Sequence, residues 1–283
     1  MTPADLEYLG KFLKERSGLV LVGDKTYLIE SRLMPVARKH NLSSLSALIA
    51  RMKGDAALES EVVEAMTTNE TFFFRDKVPF ELFSDHMLPF LQTVRSAQKR
   101  LRIWCAACST GQEPYSLAMI LEEQAAKFPG WTFEILATDL STEVLNRAKA
   151  GRFSQFEVQR GLPIQMLVKY FGQVGDQWEI SPKIRSKVQF RPINLLRDFS
   201  PLGAFDIIFC RNVLIYFDEA TKIDILNRMS NIIAPDGFLV LGAAETVVGL
   251  CERFKAVPEK RGLYVRNSAS EGAVPLRVVS GGR

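Results

Sequence analysis

Leu101-Arg-Ile-Trp-Cys-Ala-Ala-Cys-Ser-Thr-Gly111-Gln-Glu-Pro-Tyr-Ser-Leu117, with Ile135-Leu-Ala-Thr-Asp139 about thirty residues further on, decides how this chain folds. The first stretch opens with a short apolar run (Leu101, Ile103, Trp104) and passes through small residues and one glycine. It continues with Leu117, Ile120 and Leu121 at helical spacing. That order predicts strand, tight turn, helix. Small residues in the turn let backbone N–H groups and the start of the helix come close to a ligand. The second stretch is another apolar strand, and it ends in an acid. At the carboxyl end of a parallel strand, Asp139 is placed to accept hydrogen bonds from two ribose hydroxyls.

The kind of nucleotide follows from the glycine count. A dinucleotide fingerprint needs three glycines between strand and helix, and Gly111 stands alone. This argues against a nicotinamide or flavin enzyme. Without a pyrophosphate to cradle, the turn can be looser, and an adenosine ligand without phosphates, S-adenosylmethionine, fits better.

Downstream, strands and helices alternate at 101–105, 112–127, 133–138 and 141–150. Such alternation predicts a parallel, right-handed doubly wound sheet. The regularity breaks over about 151–190, where 177–180 and 188–193 read as short strands of an inserted antiparallel subdomain. Phe205–Cys210 is apolar almost throughout, as a strand buried in the centre of a parallel sheet should be. A helix at 219–233, a turn at 234–237, a strand at 238–242 and a final pair of strands within 253–266 follow. The tail, 267–283, is expected to be frayed.

Upstream, Thr2-Pro3-Ala4-Asp5 resembles a capping box with proline in the first turn, and Gly18 closes the helix. Segments around 26–40, 44–53 and 56–67 also read helical, with Pro35 expected to kink or interrupt the second. The domain organisation expected is therefore a helical domain at 1–76 and an α/β domain at 77–266. Between residues 25 and 53, Lys25, Arg32, Arg38, Lys39, Arg51 and Lys53 face only Glu30. Such a run is either a solvated face or a surface that meets an acidic protein. Thr67-Thr-Asn-Glu-Thr71-Phe-Phe-Phe-Arg75 joins the two regions. Three consecutive phenylalanines cannot all face one core, so some should wall a pocket or a junction, while Asn69, Thr71 and Arg75 can reach a carboxylate or a ligand.

Bulk properties exclude several classes. The 283 residues are 47% hydrophobic and 24% charged, as in a soluble globular protein of one large or two modest domains. A net charge of +4 makes no case for nucleic acid. The start lacks a basic and then apolar leader, and no apolar run reaches membrane-spanning length, so a cytoplasmic protein is expected. Cys105-x-x-Cys108 would need a second pair of ligands to bind a metal or a partner site for redox work, and His40 and His86 are far away in sequence. The four cysteines read as small buried thiols, with no metal.

The stretch Thr68–Arg75, Cys108-Ser-Thr-Gly-Gln-Glu113-Pro-Tyr-Ser116, Ala137-Thr-Asp139-Leu-Ser141, Asn194-Leu-Leu and Cys210-Arg-Asn212-Val-Leu-Ile-Tyr216-Phe217 together resemble the CheR family, over about residues 1–266. These are S-adenosylmethionine-dependent protein-glutamate O-methyltransferases that act on chemotaxis receptors. The resemblance implies a Rossmann-like methyltransferase sheet, an N-terminal all-α domain and a small antiparallel β-subdomain. It implies that Asn69, Thr71, Arg75, Glu113, Asp139, Asn194, Leu195, Arg211 and Asn212 line the cofactor site, and that Arg75 and Tyr216 stand nearest the transferred methyl. It also implies that the basic second helix, through Arg32 and Arg38, meets the acidic cytoplasmic helical bundle of a methyl-accepting chemotaxis receptor. The family's glycine in the first turn is replaced by Ala107, where a methyl should be tolerated. The short loop at 171–176 resembles members that work without a receptor pentapeptide. A monomer releasing S-adenosylhomocysteine, with no nucleic-acid partner and no membrane insertion, completes the expectation, along with a partly dry pocket walled by Phe72, Phe73 and Phe74.

Overall fold

The computed structural model describes residues 1–21, 23 and 25–267, so the tail expected from 267 onward falls, apart from Asn267, outside the described residues. Four helices come first: α1 (Pro3–Ser17), α2 (Thr26–Lys39), α3 (Leu45–Met52) and α4 (Ala56–Met66). Thr2 and Asp5 form the expected capping box, and Gly18 closes α1 at φ 79°, a left-handed position that favours glycine. Gly18 is needed for space as well, since a Cβ there would lie 2.7 Å from the Phe217 ring. α2 runs through Pro35 without the expected interruption. Ser31, whose carbonyl Pro35 cannot serve, is exposed, so that acceptor need not be met within the helix. Leu9, Leu13, Ile29, Leu33, Leu48, Met52, Val62 and Met66 give these helices a core of their own.

α5 (Val78–Leu82), a single π turn (Phe83–Met87) and α6 (Leu88–Val94) form one continuous helical stretch. Then come β1 (Arg100–Ala106), α7 (Gln112–Glu123), β2 (Thr132–Asp139) and α8 (Thr142–Ala150), in the expected alternation. The insertion contains β3 (Arg152–Ser154), α9 (Gln155–Gln159), α10 (Ile164–Tyr170), β4 (Phe171–Val174), β5 (Gln177–Ile180) and α11 (Pro182–Arg185). β6 (Val188–Pro192), β7 (Phe205–Cys210), α12 (Glu219–Ile232), β8 (Ile233–Leu241), β9 (Phe254–Ala256) and β10 (Leu263–Arg266) complete the described residues.

The main sheet has the order β6-β2-β1-β7-β8-β10-β9, and β3-β5-β4 forms the small antiparallel sheet. β6, β2, β1, β7 and β8 are parallel, while β10 runs antiparallel to both of its neighbours. One strand moves relative to the sequence reading. β6 pairs parallel with β2, Ile135 opposite Val188 and Asp139 opposite Pro192, and so belongs to the main sheet rather than the insertion. Its alternation of Val188 and Phe190 with Gln189 and Arg191 fits an edge strand of either sheet, and periodicity alone does not name the partner. The turn residues at 234–237 lie inside β8, where the register with β7 shifts between Phe205 and Ile207, so the turn chemistry makes a bulge.

Alternate residues of β1 and β7 feed the two faces of the sheet: Ile103, Cys105, Ile207 and Phe209 on one, Trp104, Ala106, Ile208 and Cys210 on the other. The chain leaves β1 for β2 and β6 on one side and then crosses back to β7 on the other. That reversal opens a crevice at the carboxyl ends of β1 and β7, the usual ligand position in such sheets.

Candidate active site

The turn after β1 is tightly wound. Ala107, Ser109 and Gly111 have φ of 60°, 50° and 93°. For the two residues with a Cβ this conformation costs about 1–2 kcal/mol each, so the methyl at Ala107 is accommodated with strain, in the place where the family's glycine would carry none. Three backbone amides of the turn are already engaged. Cys108 N–H donates to the Thr138 carbonyl at 2.9 Å, Ser109 N–H to Asp139 Oδ2 at 2.8 Å, and Gly111 N–H to the Cys108 carbonyl at 3.1 Å. These groups cannot cradle a pyrophosphate, in line with the argument from a single glycine.

Asp139 ends β2 and is buried, with Oδ1 accepting the Ser141 N–H at 3.0 Å. Burial pushes its carboxyl up, opposed by the backbone N–H groups of Ser141 and Ser109. Each oxygen keeps acceptor capacity for a ligand hydroxyl. Behind it stands Glu64 from the last turn of α4. Its Oε1 accepts from Ser141 Oγ and from the Glu143 N–H, both at 2.6 Å, and so ties the helical domain to the loop that follows Asp139. Nothing in the sequence pattern singled out Glu64.

Arg211 follows β7 with a side chain only 2% exposed. It donates to Glu113 Oε2, Asp76 Oδ2 and the Arg75 carbonyl, each at 2.8 Å, and its Nε is buried without a partner. Burial pushes the Glu113 carboxyl up, and the Arg211 guanidinium draws it back. Arg211 and Glu113 thus form the floor of the crevice, with three of the five guanidinium donors spent on Glu113, Asp76 and the Arg75 carbonyl.

Arg75 uses one of its donors on the Glu70 carbonyl at 2.7 Å. The adjoining phenylalanines differ from expectation. Phe73 and Phe74 are buried in the core and pack against Phe153, Phe171 and Phe80. Phe72 lies between Arg160, 4.3 Å from its ring centroid, and Arg75, at 5.7 Å. None of the three lines the cleft, whose apolar wall comes from Leu19, Leu140, Ile193, Leu195, Val213 and Phe217.

All ten residues expected at the cofactor and the methyl (Asn69, Thr71, Arg75, Glu113, Asp139, Asn194, Leu195, Arg211, Asn212 and Tyr216) line one cleft. Some have structural duties too. Asn194 Nδ2 donates to the Arg16 carbonyl at 2.7 Å and its Oδ1 accepts the Leu196 N–H at 2.9 Å, so its amide joins the loop after β6 to the end of α1. Asn69 Nδ2 donates to Thr67 Oγ1 at 3.0 Å, and its carbonyl accepts from Ser109 Oγ at 2.8 Å. Ser17 and Leu19, just beyond α1, also line the cleft; nothing in the sequence pattern marked them.

Arg32 and Arg38 lie outside the cleft, and they separate. Arg32 Nη1 donates to the carbonyls of Met66 at 2.6 Å and Thr67 at 2.9 Å, and Nη2 to Thr68 Oγ1 at 3.0 Å. It caps α4 and holds the segment that enters the cleft, a structural duty that the charge pattern did not announce. Lys39 and His40 are engaged by Glu61. Arg38 is exposed on α2. The four cysteines are free and buried, and burial pushes each thiol up. Among the described residues no three His, Cys, Asp or Glu side chains are grouped to hold a metal, and no helix is long and apolar enough to cross a membrane.

The residues fit S-adenosylmethionine. Asp139 can take the ribose, and the donors that Arg75 does not spend on Glu70 suit a carboxylate. Comparison with known proteins agrees. The family described as "CheR methyltransferase, SAM binding domain" matches residues 69–263, and "CheR methyltransferase, all-alpha domain" matches 4–67. The chain is 43% identical over 268 residues to "Chemotaxis protein methyltransferase 1" of Pseudomonas aeruginosa, covering 93% of this chain and 97% of that one. It is 42% identical over 265 residues to "Chemotaxis protein methyltransferase 1" of Vibrio cholerae, covering 91% and 95%. With family models matching residues 4–67 and 69–263 and relatives aligned over nine tenths of the chain, the chain belongs to the CheR methyltransferases, S-adenosylmethionine-dependent enzymes of chemotaxis.

Proposed function

We propose that this enzyme esterifies glutamate side chains on the cytoplasmic helical bundle of methyl-accepting chemotaxis receptors, with S-adenosylhomocysteine as the other product. The observation that carries the reading is the pairing, in one cleft, of Arg75, which has donors to spare, with Tyr216, whose hydroxyl has no hydrogen-bond partner among the described residues. S-adenosylmethionine supplies an electrophilic methyl group. A glutamate carboxylate is ionised at neutral pH, so the chain need not provide a general base, and no histidine lines the cleft. Arg75 binds and orients the incoming carboxylate, and Tyr216 donates a hydrogen bond beside it. Holding the nucleophile in line and close is worth several kcal/mol. Asn69, Thr71, Glu113, Asp139, Asn194, Leu195, Arg211 and Asn212 hold the donor, Asp139 at the ribose. Apolar walls at Leu140, Ile193, Leu195 and Phe217 limit the water around charges that are lost together as the ester forms.

In this reading the enzyme works as a cytoplasmic monomer, with residues 1–76 as the receptor-facing domain and 77–266 as the catalytic one. Arg38 on α2 faces the acidic receptor. The β4–β5 connection is a tight hairpin with Gly175 at φ 63°, which supports docking without a pentapeptide tether. The test uses a receptor cytoplasmic fragment and methyl-labelled donor. Label should appear on the fragment and be released by mild alkali as methanol. Arg38→Glu should raise the KM for the fragment about fivefold, equivalent to ~1 kcal/mol. Alkali-stable label, or none, would refute the reading.

A further inference from the structure

Glu245 has no part in any feature described so far, yet it makes more backbone contacts than any other side chain near the cleft. It sits in the loop after β8 and is 9% exposed. Its Oε2 accepts the N–H groups of Asn212 and Gly242, both at 2.7 Å. Its Oε1 accepts those of Val213 at 2.9 Å and Leu214 at 2.8 Å, with Ile215 at 3.4 Å. Four consecutive amides converge on one carboxylate because Asn212 takes a left-handed conformation at φ 57°, the arrangement by which successive backbone N–H groups form an anion-binding concavity. The anion here is the chain's own. Gly242 leaves room for it, since a Cβ there would lie 2.6 Å from Glu245 Oε2 and 2.9 Å from Asn212 N.

The segment so held runs from Asn212 directly into Tyr216, and both line the cleft. Beyond the amides held by Glu245, the turn is closed by Tyr216 N–H to the Val213 carbonyl at 3.2 Å and by Val20 N–H to the Tyr216 carbonyl at 3.0 Å. We propose that Glu245 is the positioning residue for Tyr216: its carboxylate fixes the 212–215 turn and thereby sets where the Tyr216 hydroxyl stands. It touches neither donor nor acceptor. The inference rests on the reading of Tyr216 as a hydrogen-bond donor beside the reacting carboxylate. A buried carboxylate that satisfies backbone amides from two strand ends locks the end of β8 to the end of β7, so a change on one strand is felt by a side chain on the other. Displacements on the order of 1 Å at a reacting group can cost about a hundredfold in rate.

Glu245→Gln removes the charge and turns one acceptor oxygen into a donor facing the amides. The expected result is a fall in kcat of about ten- to a hundredfold, with a smaller loss of affinity for S-adenosylhomocysteine, because only Asn212 among the donor-holding residues belongs to the released turn. Amide hydrogen exchange at 212–215 should accelerate, a readout independent of turnover. Glu245→Asp, which keeps the charge, should recover part of kcat. In a Tyr216→Phe background, Glu245→Gln should lower kcat by less than about threefold more, because the two act through one group. If Glu245→Gln does not fold, Gly242→Ala, which crowds the same carboxylate, carries the same cycle. Losses that multiply in the double variant, or kcat and exchange unchanged in Glu245→Gln, would overturn the inference while leaving the role of Tyr216 intact. Full turnover in Tyr216→Phe alone would overturn the reading of Tyr216 and the inference with it.

Discussion

Arg75→Ala should lower turnover of a receptor substrate by about 10²–10³-fold at saturating donor, with a smaller loss of S-adenosylhomocysteine affinity. The backbone of Arg75 is anchored independently of its side chain, because its carbonyl accepts from the buried Arg211. Truncation therefore removes the guanidinium without releasing the segment that carries it. Of the five guanidinium donors, one goes to the Glu70 carbonyl, which sets the side chain's direction, and the others are available to a carboxylate. Arg75→Lys should rescue poorly, since an ammonium is a point charge without the planar fork that matches a carboxylate. Too firm a grip would blunt the nucleophile, so the loss should fall on kcat as much as on KM. Single-turnover rates measured beside calorimetric affinities separate the two. Near-normal turnover together with normal cofactor affinity would remove Arg75 from the reaction.

Arg211→Met should destabilise the fold by about 3–5 kcal/mol, the usual loss when one partner of a buried ion pair is removed. The loss arises at Glu113, whose side chain is 11% exposed, rather than at Asp76, which at 39% can take up water. Substitution also frees the Arg75 carbonyl, so the floor of the cleft and its catalytic edge should loosen together. Glu113→Gln in the same chain should recover part of the loss, because the unpaired buried charge is then gone. Urea unfolding of the two single variants and the double one measures this directly. Additive losses would mean that Glu113 and Arg211 do not act as a pair.

Much of this was readable from residues alone, for physical reasons that also mark the limits. β1, α7, β2 and α8 announce themselves through periodicity, and the α1 boundaries through Thr2, Asp5 and Gly18, because those signals are local. Asp139 was legible from the apolar strand it ends, whereas Asn194, Arg211 and Asn212 were expected at the cleft only through the family resemblance, because an asparagine after a strand is as often a turn residue. Arg32 looked like a free surface cation, since charge patterning does not reveal that the carbonyls of Met66 and Thr67 lie within its reach. The three phenylalanines could not be apportioned either, because which of them meets Phe153 or Arg160 depends on where the small sheet packs. The pairing of β6 with β2 is likewise a tertiary choice. Glu245 carries no period and no motif spacing of its own. Its meaning lies entirely in the backbone amides that other strands bring to it.

The central claim, a donor cleft organised on the acid at the end of β2, is tested most directly by calorimetric titration of S-adenosylhomocysteine into the wild type and Asp139→Ala. The account predicts micromolar binding by the wild type and at least about thirtyfold weaker binding by the variant, since two hydrogen bonds to a charged group are lost. Equal affinity in the two proteins would contradict the placement of the ribose at Asp139, and absence of binding by the wild type would contradict the cleft as a donor site.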